Sequence, residues 1–270
     1  MFLRKLFGGK TTDSDTPSGS TDGLSLTNPN VASSGGREKR KHDRWHILSS
    51  SFSRLEFGSD PNGQRLDLHN ISYGGIACVD GPAAESVAHG QPFGAKLVIA
   101  TRHINMRLTS VYRRHGIVAF RILHETPDTL VSMRDLIESM RAGASLAPVQ
   151  KVNVADRYKS DDWTCLHGEE KIALVFRTVA NGDIVEALMT FKGDGEVYTE
   201  VALRNGRIST SQSVVTSGVA PQMNVSSGVD RLTIERACFI LLAMQPTATS
   251  VSMRPFIAML LKELGFKPPT

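Results

Sequence analysis

Between residues 44 and 123, apolar side chains recur at every second position in short runs, and turn-forming residues close each run. A period of two puts alternate side chains on opposite faces of a strand, so this stretch constrains the fold more than any other part of the chain. WHILSSSFSRLEFG ends at a strong turn signal, Pro61-Asn62-Gly63. Gln64 to Ser72 reads as the next strand, and GGIACVDG as a short one after a Gly-Gly break. FGAKLVIA, INMRLTSVYRRH and GIVAFRIL follow, the last two separated by His115-Gly116. Alternation through Val111, Val118, Phe120 and Ile122 marks a half-buried sheet. So many short strands in succession predict a small antiparallel barrel of six strands. The period then changes: Leu130, Met133, Leu136, Ile137 and Met140 share one face at helical spacing. Thr126 or Asp128 can cap this helix, and Gly143 can end it.

The rest of the chain divides around that barrel. Residues 1–36 read as a flexible tail, because 11–36 are rich in Ser, Thr, Gly, Asp and Asn and cannot bury enough surface to offset ordering. The first ten residues set Phe2, Leu3, Leu6 and Phe7 among Arg4, Lys5 and Lys10. Membrane contact through so short a basic turn is weighed here against a frayed terminus, and the frayed terminus is the stronger reading. Residues 37–142 form the barrel domain, and ASLAPVQKVNVA within 143–155 reads as a linker. From 156 to 270 strand-like segments return: KIALVFRTV, IVEALMTF, EVYTEVAL and RNGRISTSQ. Two amphipathic helices, in DRLTIERACFILLAMQ and MRPFIAMLLKELGF, close the chain. An antiparallel sheet followed by a helix pair is an α+β domain.

Composition excludes several classes. Lys+Arg 31 against Asp+Glu 27 gives +4, too little for a nucleic-acid coat, so a local basic patch matters more than the total. A single-stranded nucleic-acid binder would also need exposed aromatics, and aromatic residues make up 6%. Cys78, Cys165 and Cys238 are odd in number and far apart, as expected for isolated thiols in a reducing cytoplasm. No apolar run approaches a membrane span. The histidines show no metal-ligand spacing, and no nucleophile elbow, phosphate loop or dinucleotide fingerprint is present, so neither metal, cofactor nor enzyme activity is expected.

The basic residues are concentrated in REKRKHDRW, which carries Arg37, Lys39, Arg40, Lys41 and Arg44. Within it Arg40 and Arg44 form an R-x-x-x-R pattern. Guanidinium groups bind phosphate oxygens bidentately, address the N7 and O6 acceptors of guanine, and stack on its face. One predicted strand later comes Asn70-Ile-Ser72-Tyr-Gly74-Gly75, an N-x-S-x-x-G pattern. Asn70 and Ser72, two apart in a strand, share a face and offer hydrogen bonds of both polarities. The glycines allow a sharp turn and close approach to a flat ring. Together the halves describe a pocket for something phosphorylated and aromatic, with a guanine nucleotide the best match.

Here the chain resembles the PilZ domain family of bacterial cyclic diguanylate receptors. Arg40, Arg44, Asn70, Ser72 and Gly75 match the family pattern position by position, and SVYRRHGIVAFRILHETPDTLVSMRDLI looks like its last strand pair and C-terminal helix. The resemblance covers roughly residues 37–142 and assigns nothing to the remainder. It implies a PilZ-like six-stranded antiparallel barrel with a C-terminal helix, followed here by the second α+β domain. It implies that the two arginines grip phosphate and guanine, that Asn70 and Ser72 contact a guanine edge, and that Gly75 permits close approach. Lys39 and Gly74 stand as secondary contacts. The expected function is a cytoplasmic, non-enzymatic receptor that binds cyclic diguanylate and relays it to a protein partner, in motility or surface behaviour. The alternative is a PilZ-like scaffold of pilus or flagellar machinery without nucleotide binding. Residues 156–270 would dock the partner or carry the output.

Overall fold

The computed structural model describes residues 44–47, 52–58, 64–123, 126–192, 197–214, 222–224, 229–244 and 252–266. The tail, Lys39 and Arg40 lie outside the described residues.

The first sheet contains β1 (Trp45–His46), β2 (Ser53–Phe57), β3 (Gln64–Ser72), β4 (Gly75–Val79), β5 (Pro92–Ile99), β6 (Arg102–Arg114) and β7 (Ile117–Leu123), in the order β1-β3-β2-β5-β6-β7-β4. Pairing of β3 with β4 closes β2–β7 into a six-stranded antiparallel barrel, as the alternation predicts. Its interior is filled by Leu55, Leu66, Ile71, Leu97, Leu108 and Phe120, all buried. Two-residue hairpins set the register. At His115–Gly116 both residues have positive φ, the conformation whose twist matches flanking strands.

Helix α1 (Pro127–Ala144) follows. The Thr126 side chain accepts from the Thr129 amide, so Thr126 is the cap, with Pro127 in the first turn. Met133, Leu136, Ile137 and Met140 are buried as expected, but Leu130 is exposed. Gly143 does not end the helix. It sits within the last turn, buried, where an added Cβ would overlap the Ile240 carbonyl of the neighbouring helix.

Beyond α1 the chain enters the second sheet. β8 (Ala147–Pro148) pairs with β9 (Trp163–His167), and single 3-10 turns at Lys151–Asn153 and Asp156–Tyr158 follow β8. The second sheet continues with β10 (Ala173–Thr178), β11 (Ile184–Lys192), β12 (Val197–Arg204), β13 (Arg207–Val214) and β14 (Gln222–Asn224), antiparallel in the order β14-β13-β12-β11-β10-β9-β8. Asn205–Gly206, both at positive φ, turn β12 into β13. Helices α2 (Arg231–Leu242) and α3 (Arg254–Glu263) pack on one face. Asp230 caps α2 by accepting from the Leu232 and Thr233 amides. At the end of α3 the Phe266 amide bonds Leu261 and the Gly265 amide bonds Lys262, with Gly265 at φ 77°.

The two units share one apolar core that runs from the barrel through α1 to α2, α3 and the second sheet. Beside it, Arg102 at the start of β6 donates to Glu235 of α2 at 2.6 Å and stacks over the Phe239 ring. Thr101 bonds the other carboxylate oxygen at 3.1 Å. All three cysteines are buried free thiols.

Candidate functional site

Two breaks in strand register build the site. In β3 the inward side chains are first Leu66 and Leu68, then Ile71, and the register against β4 shifts between Leu68 and Asn70. This bulge at His69 reverses the phase of the strand, so Asn70 and Ser72 face out of the barrel wall. In β6 a second shift falls between Ser110 and Tyr112. Val111 is exposed because it is out of phase with the buried Ile104, Met106 and Leu108; the shift turns Tyr112 outward beside Ala119. Val118, Phe120 and Ile122 fill the interior, so Ala119 and Arg121 also point outward.

Pairing registers then assemble two lateral rows on this outer face. In one, His46 lies opposite Asn70, Asn70 opposite Ala77, Ala77 opposite Ala119, and Ala119 opposite Tyr112. In the other, Ser72 lies opposite Gly75, and Gly75 opposite Arg121. Trp45 pairs with Ile71, so Arg44 continues that second row beside Ser72. The middle of both rows carries only short side chains: Asn70, Ser72, Gly75, Ala77 and Ala119. The result is a flat floor with Arg44 and His46 on one side and Arg121 and Tyr112 on the other.

A cavity of about 300 Å³ opens over it, with Arg44, Ser72, Gly74, Gly75, Tyr112 and Arg121 among its lining residues. No carboxylate lines it among the described residues. Neither Arg44 nor Arg121 forms an ion pair with a described residue, whereas other barrel arginines do: Arg54 with Glu56 and Arg113 with Asp80, each at 2.7 Å. A larger concavity of about 820 Å³ lies elsewhere on the barrel, near the start of α1, and is lined by both acids and bases, including Glu56, Arg65, Lys96 and Asp128. Glu56 there is already held by Arg54 and Lys96, so that cavity, unlike the smaller one, neutralises part of its positive charge within its own lining.

Of the residues expected from the motifs, Arg44, Ser72, Gly74 and Gly75 come together around one cavity. Asn70 is buried at the floor, one row away. Gly75 is needed for a reason the sequence does not disclose: a Cβ there would meet the Phe120 carbonyl oxygen of β7 at 2.7 Å. Neither Gly74 nor Gly75 has positive φ. The Ser72 hydroxyl donates to the Gly75 carbonyl at 3.2 Å across the turn. Arg121 and Tyr112 were not picked out by motif, and the Arg114 guanidinium lies over the Tyr112 ring at 5.0 Å. His69 stacks edge-on against His46, centroids 5.0 Å apart. Burial, then His46 and Arg44, hold the His69 pKa below the ordinary histidine range.

The floor also touches the rest of the molecule. Tyr73, inside the N-x-S-x-x-G turn, packs against the main core, and its phenol pKa is raised by burial and then by Glu138 of α1. β1 lies against the same helix.

No family model matches the chain, and no curated protein matches it. Among solved structures, an uncharacterised Legionella protein is similar to it, with TM-score 0.29, 10% identity, and coverage of 37% of this chain and 94% of that one. The PilZ domain of YcgR from Escherichia coli, solved with c-di-GMP, aligns with TM-score 0.28 and 15% identity over 38% of this chain and 91% of its own. The PlzA protein of Borreliella burgdorferi, in complex with c-di-GMP, aligns with TM-score 0.24 and 10% identity over 73% of this chain and 93% of its own. Identities this low assign no role to any residue of this chain.

Proposed function

We propose that this chain is a cytoplasmic receptor for cyclic diguanylate, binding it on the outer face of the barrel and doing no chemistry on it. The observation that carries this reading is the lateral row that sets Arg44 beside Ser72 and Gly75, at the edge of a small-residue floor on which no described residue is a carboxylate. A flat floor suits a purine ring, and an unpaired guanidinium suits a phosphodiester or the Hoogsteen edge of guanine. Asn70 and Ser72 supply hydrogen-bonding groups at the floor, and Arg40, four residues before Arg44, adds the second arginine of the motif. Lys39 stands as a further phosphate contact.

The same geometry supports a relay. Tyr73 and β1 meet α1, and α1 packs through Gly143 on Ile240 of α2. A ligand that favours one placement of the Arg40–Arg44 segment biases α1 and, through it, the surface that residues 156–270 show to a protein partner. Such a shift is bounded by the difference in ligand affinity between the two states. No helix among the described residues is long and apolar enough to cross a membrane.

Calorimetric titration of the full chain with cyclic diguanylate, with GTP as control, tests the receptor reading. Saturable binding of the cyclic dinucleotide well above that of GTP is the expected result. Heat indistinguishable from dilution for both would overturn it.

A further inference from the structure

We infer that Arg121 is a second anchor of this site, holding the half of the ligand that Arg44 does not reach. The inference rests on the cyclic diguanylate reading above and adds to it a residue from the opposite wall.

Arg44 and Arg121 end the same lateral row, with only Ser72 and Gly75 between them. Three strand spacings separate their backbones, about 14 Å. That separation leaves room for a ligand on the floor between the two guanidinium groups. Gly75 has no side chain and the Ser72 hydroxyl is bonded down to the Gly75 carbonyl, so nothing on the row blocks the span. Arg121 is exposed, lines the cavity, and has no carboxylate partner among the described residues. A strand arginine that points into a concavity without an acid nearby is a site for an anion from solution. Its neighbour across β6 is Thr109, which adds no charge of either sign.

The ligand's chemistry asks for two such groups. Cyclic diguanylate carries two phosphodiesters, each singly negative, on opposite sides of one ring, with a guanine attached to each half. One arginine wall neutralises one half and leaves the other facing water. Two walls across a floor with no carboxylate among the described residues hold both, and the planar fork of arginine can turn to either phosphate oxygens or guanine acceptors.

The test is titration of the full chain and its variants Arg121→Ala, Arg121→Lys and Arg44→Ala with cyclic diguanylate, alongside their melting temperatures. Arg121→Ala should weaken binding about ten- to a hundredfold with melting unchanged, since an exposed side chain adds little to the core. Arg121→Lys should recover only part of the loss, because it keeps the charge without the fork. The Arg44→Ala, Arg121→Ala double variant should lose the product of the two single factors, as expected for anchors on different halves. Arg121→Ala binding like the unaltered chain while Arg44→Ala loses affinity would overturn the second anchor and leave the receptor reading standing. No binding by the unaltered chain would overturn both.

Discussion

Arg44 stands beside Ser72 on the continuation of the β1–β3 register, so a residue of the basic segment and a residue of the N-x-S-x-x-G turn occupy one face of one sheet. Their neighbourhood makes the two side chains unequal. Arg44 has no described acid to leave behind, and its removal takes away a charge-assisted contact. Ser72 is nearly buried and already bonded to the Gly75 carbonyl. Arg44→Ala should therefore cost roughly 2–3 kcal/mol of cyclic diguanylate binding with little change in stability. Ser72→Ala should cost about 1 kcal/mol of binding and a similar amount of stability, because the turn loses its bond. Parallel titrations and urea melts decide it; equal effects of the two substitutions on both quantities would show that neither side chain is placed as described.

Gly75 leads to a different expectation. The obstacle to a side chain here is the Phe120 carbonyl, a backbone atom of the strand that closes the barrel. Gly75→Ala must separate β4 from β7 by a few tenths of an ångström or more. The cost should be roughly 1–3 kcal/mol of folding stability, the range for overpacked sites. Urea unfolding of the chain without ligand measures this. An unchanged midpoint would return the glycine to a purely ligand-facing role.

The barrel and its helix follow from local patterns because two-residue hairpins and alternating apolar runs are encoded within a few neighbouring positions. His115-Gly116 is of this kind. Half of the site is equally local: Asn70, Ser72 and Gly75 lie in one short segment. Arg121 and Tyr112 are not, because they reach the floor only when β7 pairs with β4 and a bulge turns β6. Val111 reads as core beside Val118, Phe120 and Ile122, yet it is out of phase with the buried Ile104, Met106 and Leu108 of its own strand and is exposed. Gly143 reads as a helix stop because glycine often is one, yet it is retained inside α1 where another helix comes too close for a Cβ. Within 143–155, Ala147–Pro148 pair with β9 at the sheet edge, where a residue without an amide proton is tolerated.

Contact between the two units is also measurable. Glu235 is mostly buried and its carboxylate takes both the Arg102 guanidinium and the Thr101 hydroxyl. Arg102→Ala removes the partner charge and the stacking over Phe239, leaving the carboxylate inside an apolar contact. The loss should be about 2–4 kcal/mol, near the low end of broken buried pairs because Arg102 is partly exposed. Arg102→Ala with Glu235→Gln should recover part of it, since no uncompensated charge remains. Chemical denaturation of the single and double variants tests this, and additive losses would show that the pair is not coupled across the interface.

His69 gives the fold a pH dependence whose sign is set by its surroundings. Burial, His46 and Arg44 all disfavour its charged form, so its folded pKa lies below the unfolded one. The unfolded chain then binds more protons in the window between the two values, and stability rises with pH across it. The contribution is fully present above the ordinary value, about 6.5, and is lost as pH falls through the depressed folded value. His167, lowered by burial alone, acts in the same direction from the second sheet. The melting temperature should be level from about pH 8 to 7 and decline below about 6.5, before most carboxylates titrate. His69→Gln should flatten part of that decline and His167→Gln another part. Bound cyclic diguanylate should reduce the His69 share, because phosphate beside Arg44 offsets the charge that opposes protonation. A decline that His167→Gln abolishes and His69→Gln leaves intact would show that His69 does not feel the field of Arg44.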